Sequence, residues 1–208
     1  MFVKNHMIEK EMLTLVELED SLETALKKMA SDNFLSLPVV HNGELRGKLM
    51  KEKIYWGYVE EDSDSFSEFT ITKKVSDLYD DKIQFVYEDD EIEKASFLLG
   101  RIKMPFLTVI NSDNEFVGIL THAAIFNAFS RVIGLDKGHK IVVDMEDEPG
   151  QLARFTELLK NENVNIINIS IVGRTEDNYL RNVIRVETED VDDLVDKIKS
   201  IGFRVNDK

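Results

Sequence analysis

Four cations, Arg46, Lys48, Lys51 and Lys53, face the single acid Glu52, so residues 46–53 carry +3 in a chain whose formal net charge is −14. An acidic chain that holds an anion must gather cations locally, and such a cluster can clamp phosphates. Arg101 and Lys103 add two more charges just ahead of an apolar run at 106–110. The same residues also fit a solvated basic face, and the sequence leaves both readings open. Thr121 and His122 end another apolar run, where a hydroxyl and an imidazole could donate to a phosphate oxygen. Asp147-Glu148-Pro149-Gly150 marks a strand-to-helix junction, with proline expected at the first helical position, where its missing N–H costs nothing. Gly150 leaves the backbone open at a positively polarised helix end. Asp147 either meets a ligand ammonium there or simply caps the helix.

Catalytic patterns are missing from the sequence. No nucleophile elbow, glycine-rich phosphate loop or His–Glu metal motif occurs. The four histidines, His6, His41, His122 and His139, are scattered, and the absence of cysteine excludes disulfides, thiolate metal sites and a cysteine nucleophile. The acidic run Glu60-Glu61-Asp62-Ser63-Asp64-Ser65 matches no calcium-loop spacing and reads as a solvated loop. These features point to a non-enzymatic binding protein with no metal and no cofactor.

The frame that positions these groups is a repeat. Leu22-x-x-Ala25-x-x-x-Met29 recurs 70 positions later as Ile92-x-x-Ala95-x-x-x-Leu99, and Leu37-Pro38-Val39-Val40 recurs as Leu107-Thr108-Val109-Ile110. Arg46-Gly47-Lys48-Leu49 recurs as Val117-Gly118-Ile119-Leu120 after a one-residue insertion. Each copy reads β-α-β-β-α: a short strand (12–16, 83–87), an amphipathic helix capped by Asp20-Ser21 or Asp89-Asp90, a two-strand hairpin (37–40 with 45–50, 106–110 with 116–121), and a second helix. Paired units of this kind leave clefts between them, where ligands bind. Arg131 to His139 reads as a linker. Beyond it, strands at 140–145, 164–172, 180–188 and 202–206 and helices at 149–161 and 190–201 give the ferredoxin-like βαββαβ order. The fold class is therefore α+β (α/β).

At 208 residues, 43% apolar and 32% charged, the chain is long and apolar enough for one or two packed domains. Its net charge opposes binding to nucleic acid or to an anionic membrane, because both need a basic face. No apolar run approaches the ~18 residues of a membrane span, and Met1-Phe2-Val3-Lys4-Asn5-His6 has no signal-peptide core. The expectation is a cytoplasmic protein.

Residues 2–130 resemble a tandem pair of CBS domains, on the helix pattern, the Leu-Pro-Val-Val strand and Gly118-Ile119-Leu120-Thr121. Residues 139–207 resemble an ACT domain, on Asp147-x-Pro149-Gly150-x-Leu152 and Asn163-Val164-Asn165-Ile166. The expected boundaries are 1–65 and 66–132 for the CBS domains and 139–208 for the ACT domain. This combination is similar to acetoin-utilisation regulators and to cyclic di-AMP-binding proteins of Gram-positive bacteria. The resemblance implies an adenine nucleotide as ligand, a homodimer, and a protein partner that the sequence does not identify.

CBS repeats hold phosphate and ribose with Gly-x-x-Thr/Ser-x-x-Asp. Here the first copy has Met50 and Lys53 at the hydroxyl and carboxylate positions, and the second has Thr121 and Ala124. With no ribose carboxylate, the ordinary mode for AMP, ATP or S-adenosylmethionine is weakened and cyclic di-AMP is preferred. By position in the family's pocket the ligand would meet Met12, Thr14, Leu35, Ser36 and Leu37 from the first repeat. From the second it would meet Lys82, Gln84, Pro105, Phe106, Leu107, Thr121 and His122, with Phe106 as an adenine wall or, equally, core. In the ACT part, Asp147, Gly150, Gln151, Leu152 and Asn165 match the family's amino-acid-binding positions; dimerisation alone is the other reading. AMP or ATP binding, or an amino-acid-responsive regulatory subunit, is the alternative function.

Overall fold

A computed structural model describes residues 1–206; the last two residues of the expected 139–208 domain lie outside them. The chain divides into two compact units, Met1–Ile125 and Phe126–Lys208. No helix among the described residues is long and apolar enough to cross a membrane.

The first unit contains the first repeat and the second as far as the opening of its last helix, whose remainder belongs to the second unit. The first runs β2 (Val16–Glu17), α1 (Leu22–Ser31), β3 (Ser36–His41), β4 (Glu44–Met50) and α2 (Lys51–Glu60), after a two-residue β1 (Ile8–Glu9). Two short helices, α3 (Phe66–Thr72) and α4 (Val75–Leu78), precede the second repeat. That repeat comprises β5 (Phe85–Tyr87), α5 (Ile92–Arg101), β6 (Phe106–Ile110), β7 (Phe116–Thr121) and α6 (His122–Ile133). Helices α1 and α5 bury the repeated positions, Leu22, Ala25 and Met29 in one and Ile92, Ala95 and Leu99 in the other. Spacing of three and four residues puts them on one face, which covers the sheet.

Each repeat joins its first two strands in parallel across the helix and its second and third as an antiparallel hairpin. The first sheet has the order β2-β3-β4 and the second β1-β7-β6-β5. Strand β1, from the start of the chain, thus completes the second repeat's sheet, pairing Ile8 with Ile119 and Glu9 with Gly118. The segment before the second repeat returns the contact, with Asp80 bridging Lys48 on β4. Gly47 and Gly118 make both approaches feasible: a Cβ on either would collide with the carbonyl oxygen of Asp80 or Ile8.

Several sequence expectations shift. The strand expected at 12–16 is shorter, because Lys10–Met12 forms a 3-10 turn and pairing starts at Val16. Ser21 caps α1 by accepting the Thr24 N–H at 3.1 Å. Asp90 caps nothing; its carboxylate accepts the Tyr87 N–H at 2.8 Å, and Glu91 is the N-cap of α5 without a side-chain bond. Helices α3 and α4 were not anticipated. Phe69 and Val75 from them join the first repeat's core with Leu22, Met29, Leu49 and Ile54.

The second unit runs β8 (His139–Glu146), α7 (Gln151–Asn161), β9 (Asn165–Arg174), β10 (Tyr179–Glu187), α8 (Val191–Ser200) and β11 (Arg204–Asn206). Its sheet order is β11-β8-β10-β9, all antiparallel neighbours. Phe155 of α7 packs edge-on against Phe203, with centroids 5.7 Å apart, over Ile141, Val143, Met145, Ile184 and Val186. Pro149 is not the first helical residue. Gly150 is the N-cap, at φ +93°, so the proline lies one position outside the helix. Glycine adopts this left-handed backbone without the steric cost of a Cβ.

Candidate functional site

Between the repeats lies a cleft of about 190 Å³. The turn before β2 supplies Met12, Leu13 and Thr14, and the start of β3 supplies Leu35, Ser36 and Leu37. The second repeat contributes Pro105, Phe106, Ile119 and Thr121, and Ile8 of β1 and Phe34 close the sides. Eight of the sequence-derived nucleotide positions are thereby gathered in one place. Phe106, Phe116 and Ile119 form a small buried cluster with Leu13 and Leu15, so the cleft floor is apolar and packed. Met12, 78% exposed, overhangs the mouth. Three hydroxyls, on Thr14, Ser36 and Thr121, are the polar groups of the lining, and no carboxylate lies among its residues.

Thr121 stands at the junction of β7 and α6. Its Oγ accepts the N–H of Ala124 at 3.1 Å, capping the helix. A capping hydroxyl keeps its own proton, which remains free to donate to an anion at the positive end of a twelve-residue helix. At the same place in the first repeat, Met50 is the N-cap of α2 and makes no side-chain bond.

The remaining candidates separate from the cleft. Leu107 is fully buried; neighbouring residues on a strand face opposite ways, so Phe106 meets the cleft and Leu107 the core. Lys82, Gln84 and His122 are exposed and lie outside the lining. The basic cluster does not form a clamp. Lys48, 4% exposed at its side chain, donates to Asp80 Oδ2 at 2.9 Å and to the Lys82 carbonyl at 3.0 Å, and so is not available to a phosphate. Burial pulls the Asp80 carboxyl upward, but the bond from Lys48, the Lys82 N–H and the charges of both lysines outweigh it and hold it below its ordinary value. Arg46 pairs with Glu44 at 3.4 Å. Arg101 sits 5.1 Å from the ring of Phe97 on its own helix, and Lys103 is exposed. Lys53 borders a separate hollow beside Trp56. Lys51 follows the cleft edge, its backbone N–H donating to the Leu35 carbonyl at 2.8 Å.

A wider hollow of about 900 Å³ opens at the hairpin-turn end of the same unit. Its lining includes Glu9, Glu11, Glu44 and Glu115 against Lys10, a balance that repels phosphates.

In the C-terminal unit the junction residues Asp147, Gly150, Gln151 and Leu152 gather at one end of the sheet. Asp147 is taken by an ion pair with Arg174, and Gln151 donates to Glu146 at 3.4 Å and accepts from Arg154 at 3.2 Å. Leu152 is half exposed. Asn165 is at the other end: it pairs with Glu187, while β10 pairs Tyr179 with Glu146. Eight residues of strand at ~3.3 Å each separate it from Asp147, so one chain does not bring the five together. A polar hollow of about 670 Å³ on this unit is lined by Arg174, Arg181 and Arg204 with Asp144 and Asp177, a lining missed in the sequence because the residues come from four strands and the β9–β10 turn. Arg181 grips Asp144 through two bonds of 2.8 Å, which, with burial opposing, hold that carboxyl below its ordinary value.

Residues 8–55 and 75–131 match the family model of the CBS domain, and residues 137–208 that of a TTHA0829-like ACT domain. No curated protein sequence matches the chain. Among solved structures, a CBS domain-containing protein of unknown function from Bacillus anthracis is 27% identical, with a TM-score of 0.55 over 62% of this chain and 93% of its own. CBSX2 of Arabidopsis thaliana in complex with AMP is 23% identical, with a TM-score of 0.53 over 65% of this chain and 98% of its own. The CBS domain of a bacterial CNNM/CorC family Mg2+ transporter in complex with ATP is 19% identical, with a TM-score of 0.52 over 61% and 84%. The last two likenesses establish the fold.

Proposed function

The chain belongs to the CBS-domain family and carries a C-terminal ACT domain, and from that premise we propose that it is an adenine-nucleotide sensor whose ligand enters the Thr121 cleft. CBS and ACT domains are regulatory modules. The same CBS fold holds AMP in CBSX2 and ATP in the transporter domain, which supports the ligand class at the level of fold. The observation that carries the reading is the cleft lining: apolar and aromatic walls for a base, hydroxyls at its edge, and a helix N-terminus whose capping Thr121 still has a proton to give.

Size and chemistry sharpen the choice. At about 190 Å³ the cleft is smaller than the ~300 Å³ at which drug-sized pockets begin. It accommodates a purine, leaving sugar and phosphate at the mouth. A free ribose diol usually meets a carboxylate, and this lining has none. In a cyclic dinucleotide the 3′ oxygens are esterified, so cyclic di-AMP is the preferred ligand over AMP and ATP. Binding would favour one packing of the repeats and alter the surface offered to a protein partner.

The ACT domain serves a homodimer in this reading. Strand β9 is an unpaired sheet edge that exposes Ile171 and Val172, an arrangement that invites pairing with a second copy.

Titration calorimetry with cyclic di-AMP, ATP, AMP and S-adenosylmethionine tests the reading. Cyclic di-AMP is expected to bind most tightly. Micromolar ATP binding without heat from cyclic di-AMP would overturn the preference, and silence from all four would overturn the sensor.

A further inference from the structure

The two repeats put an apolar pair and an ion pair at the same place. On β7, Ile119 faces Ile8 of the incoming strand β1; on β4, Lys48 faces Asp80 of the incoming segment. The repeat offset makes Lys48 the counterpart of Ile119, Met50 that of Thr121, and Lys82-Ile83-Gln84 that of Met12-Leu13-Thr14. A twin of the Thr121 cleft, built by the same rule, would have Lys48 and Met50 as its floor and residues 82–84 as its rim.

At that position the Lys48 ammonium bonds the Asp80 carboxylate and the Lys82 carbonyl, and Asp80 Oδ1 accepts the Lys82 N–H at 3.0 Å. The rim is thereby tied to the floor. A base entering there would displace the bonds of a buried charge, which is costly unless they are replaced. Met50 offers no hydroxyl to a phosphate at the start of α2.

We propose that the CBS pair is a single-site module: the Thr121 cleft takes one adenine, and a latch of Lys48, Asp80 and Lys82 keeps the twin cleft closed. This rests on the nucleotide reading given above. It also assigns the buried lysine a role in stoichiometry instead of phosphate binding.

Exchanging the two pairs tests the latch. K48I/M50T/D80I gives the first repeat the second's lining, and I8D/I119K gives the second repeat the first's ion pair. Stoichiometry is counted calorimetrically with ATP, which brings one adenine per molecule, binding itself is tested with ATP and with cyclic di-AMP, and folding is checked by circular dichroism. The wild-type chain is expected to take one adenine, the triple variant two, and I8D/I119K to bind at least tenfold more weakly. Two adenines on the wild-type chain would overturn the latch and leave the nucleotide reading standing, as would unchanged binding in I8D/I119K. If the wild type binds none, the nucleotide reading falls and the triple variant alone decides: a gained site supports the latch, and none overturns it. Should the triple variant fail to fold, K48M, which removes the charge at similar length, takes its place under the same criteria.

Discussion

The two CBS repeats share a scaffold and differ in what fills it. Each has an apolar helix face, a hairpin, and a glycine that admits a foreign backbone to the outer strand. One then closes that contact with Ile8 and Ile119, leaving an open apolar cleft, and the other with Asp80 and Lys48. One begins its second helix with a hydroxyl cap and the other with methionine. Scaffold and site are thus specified by different residues, and duplication preserves the first while freeing the second to change.

The most damaging test of that comparison is to remove what the repeats share. Gly47→Ala and Gly118→Ala should each cost about 3 kcal/mol, at the upper end for an overpacked contact whose neighbour is backbone. Urea unfolding measures both, and a large loss at one with tolerance at the other would break the symmetry.

Next come the residues that differ. Lys48→Ala should lose toward the lower end of the ~3–5 kcal/mol for breaking a buried ion pair, since the Asp80 side chain keeps 27% exposure. Ile119→Ala should lose ~2 kcal/mol by cavity formation. Acid separates them. The native state holds Asp80 below its ordinary value of 3.8, so the unfolded chain takes up the proton first as pH falls. The pair's contribution is full above that value and is lost as pH falls through the native one. The cost of Lys48→Ala should therefore shrink below about pH 4, whereas that of Ile119→Ala should not follow Asp80 protonation. Parallel pH profiles would refute the ion-pair account.

Ligand affinity gives a finer contrast. Phe106→Ala should weaken nucleotide binding by about ten- to a hundredfold, the ~1–3 kcal/mol of a stacked base; Ser36→Ala, at the equivalent position of the first repeat, should have little effect. Smallest is Thr121→Val, expected to weaken binding about fivefold for one lost hydrogen bond of ~1 kcal/mol, with a loss of similar size in stability as the cap disappears. Equal losses for Met50→Val, measured in the same titration, would contradict the assignment of the site to the second repeat.

Much of this was legible in the sequence because duplication writes the same helix face and hairpin twice. The β-α-β-β-α order follows from matching the copies, the βαββαβ unit from the strand and helix pattern after the linker, and the eight cleft positions from the family resemblance. The latch did not, because a lysine in a basic run reads as solvated while its burial depends on Asp80, a distant residue on another segment. A signal was nonetheless present: Lys48 aligns with an inward isoleucine. Asn165 went astray for a topological reason. In a β-α-β unit both strands start at one end of the sheet, so the residue opening β9 lies far from the junction that closes β8. Pro149 shifted outward because Gly150, at φ +93°, takes the capping position itself. Helices α3 and α4 are short and follow an acidic loop, so their pattern is weak, yet Phe69 is core.

The exchange of arms between the repeats has a consequence for how the chain comes into being. Strand β1 leaves the ribosome before β7, its one ladder partner among the described residues, which is made after almost the whole of both repeats. Until then the edge of the second sheet does not exist and the first residues must wait uncommitted. A ladder closed between such remote segments makes loop closure late and slow. The two repeats should consequently mature as one cooperative body, not in succession, and a cut that frees Ile8 and Glu9 should loosen the repeat that lies farther along the chain.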